Sequence, residues 1–147
     1  MLKQIKERVL GKPKTKYQSH LTPSETPYQR MGEQSVRDLA NLFYDEMENN
    51  PAAAELLAIH PQPMDIIREK FFEFLSGWLG GPNLFMEKYG HPRLRMRHMP
   101  FAIDNNMYQQ WMMCMKVALE KVLSDDPVLK ADLEQKFDQL AQHMINQ

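Results

Sequence analysis

The sequence predicts an all-α fold, and three observations carry that prediction. Apolar residues recur at three- and four-residue steps through four long stretches. No segment keeps the period-two alternation of a half-buried strand. The breaks between stretches fall at proline, glycine or asparagine, residues that end or punctuate helices.

Residues 1–26 read as a basic extension. "MLKQIKERVLG" places Leu2, Ile5 and Val9 at roughly helical spacing, and three prolines then break "KPKTKYQSHLTPSETP". A short amphipathic helix on a tether is expected there, suited to a membrane surface or a partner. Residues 27–147 read as one domain. Val36, Leu39, Ala40, Phe43 and Met47 mark its first long helix, which "ENNP" ends. A short helix, "AAAELLAIH", follows Pro51, and "PQP" breaks the chain again. Ile67, Phe71, Phe74, Leu75 and Trp78 mark the next helix, which stops at Gly80 and Gly81, where glycine can take a left-handed, helix-ending conformation. Met107, Trp111, Cys114, Met115, Ala118 and Val122 trace another over residues 107–123. Asp125 or Asp126, with Pro127, starts a last helix carrying Leu129, Leu133, Phe137, Leu140 and Met144.

Composition narrows the function. A chain of 147 residues can bury one real core. Its net charge of −1 is unevenly spread, because residues 1–17 hold six cations against one acid, Glu7. The body is therefore acidic, which argues against a nucleic-acid partner. The single cysteine, Cys114, excludes an internal disulfide and fits a reducing compartment. No apolar run reaches the length of a membrane span, so a cytoplasmic location is expected.

One stretch departs from ordinary helical packing. Lys88 to Phe101, around "YGHPRLRMRHMPF", gathers four cations, two histidines and two prolines with no acid. His91 sits where a helix cap is expected, with Pro92 at the first helical position and Pro100 closing a helix of about two turns. His98 lies four residues after Leu94 and so shares its face, pointing as an apolar residue points. Arg93 and Arg97 form another such pair on a neighbouring face. A neutral His98 can ligate a metal through one ring nitrogen while the other donates to a carbonyl in the preceding turn. The bland alternative is a satisfied histidine in a solvated basic loop. No cluster with zinc spacing surrounds His98, whereas one histidine facing an aromatic pocket suits haem iron, the porphyrin supplying the other ligands. The proximal histidine of globins is the standard example of that arrangement.

"FYDEM", "FLSGWLGGP", "EKYGHPRLRMRHMPF" and the tryptophan thirteen positions after His98 together resemble the group II truncated haemoglobins. The resemblance covers residues 27–147 and leaves the extension unmatched. It implies a globin-like, two-over-two helical sandwich enclosing haem b, with His98 as the proximal iron ligand. It further implies that Tyr44 and Trp111 hold the distal ligand, and that His60 lines the distal pocket. Ile67 stands where conventional globins carry a distal histidine, and Phe71, one turn later, narrows the pocket. Arg97 and Tyr89, and after them Arg93, become candidates for the haem propionates, while Leu94 and Phe74 become apolar haem contacts.

Each of these residues also has an ordinary reading. Tyr44 and Trp111 are core aromatics by pattern alone, His60 can sit in an exposed turn, and core packing explains Phe71 and Phe74 fully. Three functions follow. The first is a haem protein that reversibly binds dioxygen, carbon monoxide and nitric oxide at a five-coordinate iron. The second uses the same haem to oxidise nitric oxide to nitrate or to consume peroxide, with an outside reductase, since no flavin or nicotinamide domain is present. The third is a haem-free helical module whose "RLRMR" face meets an acidic partner.

Overall fold

The computed structural model describes residues 25–147; the helix expected around Leu2, Ile5 and Val9 lies outside them. Among the described residues there are eight α-helices, one 3-10 turn and no strand. They run α1 (Pro27–Met31), α2 (Glu33–Asn49), the 3-10 turn (Pro51–Ala53), α3 (Ala54–Ala58), α4 (Asp65–Trp78), α5 (Leu84–Tyr89), α6 (Leu94–His98), α7 (Asn105–Val122) and α8 (Pro127–His143).

Local chemistry sets most of these ends. Thr26 and Gln29 form a reciprocal capping box on α1, with Pro27 at the first helical position. Asp104 caps α7 by accepting from Met107 N at 2.9 Å. Of the two acids that could start α8, Asp126 is the cap, accepting from Leu129 N. Its carboxylate also takes Arg30 of α1 in a two-point pair, with Arg30 Nε 2.8 Å from Oδ2.

α2 packs on both α4 and α7, and α7 packs on α8. The four long helices thus form two pairs, α2 with α4 and α7 with α8, joined where α2 meets α7. Val36, Leu39, Ala40 and Met47 of α2 meet Cys114, Met115, Ala118 and Leu119 of α7 in a core closed to solvent. Burial of that kind, at about 25 cal/mol per Å² of apolar surface, is the main force holding the sandwich. Burial also pushes the Cys114 thiol up to about 11, so it packs as a small inert apolar group.

The structure departs from the sequence expectation in three places. α5 was not foreseen, since in "LFMEKY" only Phe85 is buried and a single turn shows no period. α6 starts at Leu94, not at Pro92, because Arg93 has left-handed torsions (φ 46°, ψ 54°) that a right-handed helix cannot continue through. The helix is therefore five residues long, and His91 is not its cap. In α4, Phe72, Glu73 and Ser76 are buried beside the expected stripe, because α4 is covered by α2 on one side and α5 on another. Glu73 pairs there with Lys88 of α5.

Gly80 gives a stability prediction. Its φ of 93° favours glycine, and an added Cβ would lie 2.6 Å from Thr26 Cβ and Cγ2. Nearby, Tyr28 N donates to Leu79 O at 2.9 Å, fastening α1 to the end of α4. Gly80→Ala should cost about 2–5 kcal/mol from the combined torsional and steric penalties. Urea denaturation of the variant checks this, and a loss under about 0.5 kcal/mol would remove the argument.

Candidate functional site

Several apolar-stripe residues are only partly covered. Ile67 and Phe71 on α4, Met107 and Trp111 on α7, and Leu140 on α8 with Met144 just past its end each continue their helix's stripe yet stay half-open. They face a hollow instead of a neighbouring helix. The hollow is a cavity of about 310 Å³, walled also by Leu94, Phe74 and Phe85 and by the polar residues Tyr44, His60, His98, Lys70, Arg97 and Tyr108, whose hydroxyl donates to Asp138. No acid lines it.

α6 brings His98 to this wall, and two sets of hydrogen bonds hold α6. Arg95 Nη1 donates to His143 O and Ile145 O, at 2.6 and 2.9 Å, tying the helix to the end of α8. Asn146 Nδ2 donates to Phe101 O at 3.0 Å, and Asn146 exchanges bonds with Ile103 at 2.9 Å. Within α6, His98 Nδ1 lies 2.7 Å from Leu94 O. A carbonyl can only accept, so Nδ1 carries the proton and Nε2 keeps a lone pair. Nε2 makes no hydrogen bond among the described residues.

The remaining polar atoms cluster on aromatic groups. Tyr44, 5% exposed, packs its ring edge-on to Phe43 at 4.9 Å and to Phe71 at 5.6 Å, with His60 at 5.8 Å. Phe43 in turn touches Trp111 at 5.1 Å. Burial holds the Tyr44 phenol well above its ordinary range, so the hydroxyl keeps its proton. Neither that hydroxyl nor the Trp111 indole N–H is used by a hydrogen bond among the described residues. His60 Nδ1 lies 2.8 Å from Leu56 O, and burial lowers its pKa, so it is neutral with its proton on Nδ1.

The cavity collects nine of the eleven residues singled out from sequence: His98, Tyr44, Trp111, His60, Ile67, Phe71, Arg97, Leu94 and Phe74. Tyr89 and Arg93 do not line it. Tyr89 packs its ring at a tilt against Phe85 at 4.8 Å, and Arg93 points to solvent from its left-handed turn. Lys70 lines the cavity and was missed, although it lies three residues after Ile67 and so shares its face. Its ammonium sits 4.8 Å above the Tyr89 ring, which places Tyr89 one layer behind the wall. Arg97 lines the cavity while donating to Pro92 O and to His91 O, so it also braces the loop ahead of α6.

The donor set fits one kind of group. Among the described residues no three His, Cys, Asp or Glu side chains could hold a bare metal ion. Two imidazoles, those of His98 and His60, line the cavity with Nε2 free of hydrogen bonds, which suits a metal that brings its other ligands with it. Two cations and no acid at the same wall suit a group bearing carboxylates. A two-layered helical shell round such a cavity defines a haem pocket of globin type.

Comparison with known proteins agrees. A model of the bacterial-like globin family matches residues 26–146. The group 2 truncated hemoglobin YjbI of Bacillus subtilis is 36% identical over 121 residues, covering 82% of this chain and 89% of that one. The cold-adapted truncated hemoglobin of the Antarctic bacterium Pseudoalteromonas haloplanktis superposes with a TM-score of 0.82 at 53% identity, covering 84% of this chain and 99% of that one. A truncated oxygen-avid haemoglobin from Bacillus subtilis superposes with a TM-score of 0.75 at 34% identity, covering 83% of this chain and 100% of that one. The chain belongs to the bacterial-like globins and, within them, to the group II truncated, two-on-two haemoglobins. It is a haem-binding globin.

Proposed function

We propose that the chain holds haem b with His98 as the proximal iron ligand and binds dioxygen reversibly at a five-coordinate iron. Carbon monoxide and nitric oxide are ligands of the same site. One observation carries this reading: His98 is anchored through Nδ1 and offers Nε2 to an apolar cavity whose free donors are Tyr44 and Trp111. When bound, the haem supplies an iron with one open position for a diatomic ligand. The Leu94 carbonyl fixes the tautomer and ring orientation of His98. Tyr44 and Trp111 can each donate to the partly negative outer atom of dioxygen, which favours retention over easy release. A relative described as oxygen-avid supports that direction. The one thiol, buried and raised, suits a reducing cytoplasm.

The visible absorption spectrum of the purified protein tests the reading. A five-coordinate ferrous form that converts reversibly under air is expected; a colourless protein that takes up no added haem would overturn it. Arg97→Ala offers a finer check. Arg97 and Lys70 supply the positive charge that suits the propionates. Arg97 is exposed, so its loss should speed haem release only severalfold. The ferrous spectrum should stay that of the native protein. A changed axial ligand in this variant would show that Arg97 positions His98 rather than the haem edge.

A further inference from the structure

The tautomer of His60 says what that residue can and cannot do. Its Nδ1 donates to Leu56 O at 2.8 Å, an arrangement matching that of His98 with Leu94 O at 2.7 Å. A neutral imidazole has one N–H, and here it is spent on the backbone. Nε2 therefore presents a lone pair to the cavity. His60 cannot donate to dioxygen in this state. Tyr44 beside it and Trp111 elsewhere on the cavity wall offer protons, while the Tyr108 hydroxyl donates to Asp138. Lys70 and Arg97 are cations, and no carboxylate lines the wall. Tyrosine hydroxyls and the proposed iron ligand His98 aside, His60 Nε2 is the one basic side-chain atom with a free lone pair among the cavity's lining residues.

From this we infer that His60 is a base that admits protic ligands, weak acids H–X that must lose a proton to bind as X⁻. Hydrogen peroxide and hydrogen cyanide belong to this class, and the reading of the cavity as a haem pocket underlies the inference. The step balances without an outside reagent. The H–X bond breaks, its proton joins the Nε2 lone pair to give an imidazolium, and X⁻ keeps the electron pair, the form that a haem iron held by His98 would bind. Burial lowers the His60 pKa, which keeps the lone pair free before the acid arrives and lets the proton go afterwards. His60 stands on the loop after α3, followed by Pro61, so the Leu56 contact rather than a long helix holds its ring. Neutral diatomic ligands carry no proton and gain nothing from this base, so the two ligand classes should respond differently to its removal.

The test uses the full-length, haem-loaded protein at neutral pH, with hydrogen cyanide as the probe for the ferric form and carbon monoxide for the ferrous form. His60→Leu and His60→Gln both remove the base, the second keeping a polar side chain of similar reach. Stopped-flow mixing should show cyanide association slowed roughly tenfold to a hundredfold in both variants, in the range of a lost general base. Carbon monoxide association should change by less than about threefold, since entry and not proton transfer limits it. Unchanged cyanide rates in both variants would overturn the assignment. Equal slowing of cyanide and carbon monoxide would also overturn it, because His60 would then be acting on access. A wild-type ferric spectrum with two imidazoles on the iron would do the same, since Nε2 would be occupied as a ligand. Absence of haem uptake by the wild type would instead sink the haem reading itself, which separates the two failures.

Discussion

His98→Ala should release haem more than about a hundredfold faster than the native chain, equivalent to about 2.7 kcal/mol lost with one axial bond. The helices should survive. No residue of α6 is buried, and His98 itself is only partly covered, so the substitution opens no hole in the core between α2 and α7. The loss falls on His98, whose free Nε2 the proximal role requires, and His60, anchored alike through Nδ1, stands on the loop after α3 rather than on α6. Haem transfer to an excess of an apoglobin acceptor measures the first effect, and far-ultraviolet circular dichroism the second. Native retention with a native deoxy spectrum would show that another group ligates the iron.

His98 could be singled out early because its position is set locally. Its spacing from Leu94 puts it on an apolar face, and the same spacing places Nδ1 on the Leu94 carbonyl. The stripe of α2 was legible for a similar reason, since Val36, Leu39, Ala40, Phe43 and Met47 all become buried against α4 and α7. Periodicity could not say which stripe residues would be buried and which would wall a cavity. Phe137 and Leu140 lie three residues apart on α8, yet one is closed off and the other lines the hollow. That difference is tertiary.

The dense cations of "RLRMR" were legible as a cluster but not in their separate tasks. Arg95 binds carbonyls 48 and 50 residues away at the chain's end, a pairing that no local pattern encodes. Arg97 turns back on Pro92 and His91 while lining the cavity, and Arg93 spends its backbone on a left-handed turn. Lys70 and Tyr89 show the same limit in reverse. The tyrosine in the recognisable motif stands behind the wall, and a lysine with no motif of its own stands in it.

Tyr44→Phe should speed dioxygen dissociation about fivefold to tenfold, the equivalent of ~1–1.4 kcal/mol for one hydrogen bond given up. The ring contacts with Phe43, Phe71 and His60 do not involve the hydroxyl, so the cavity should keep its shape and the protein its stability. Carbon monoxide, less polar when bound, should dissociate at a rate within about twofold of native, because it gains little from a donor. Trp111→Phe should act in the same direction through the indole N–H. The two effects need not add, since both donors address one ligand. His60 offers no rescue, because its only proton is held by Leu56 O. The Tyr44 hydroxyl keeps its proton well beyond the ordinary phenol range, so the effect should be constant across neutral pH. Stopped-flow displacement of dioxygen by carbon monoxide measures these rates. Native off-rates in both variants would mean that retention of dioxygen rests on exclusion of water by Ile67 and Phe71 and not on hydrogen bonding.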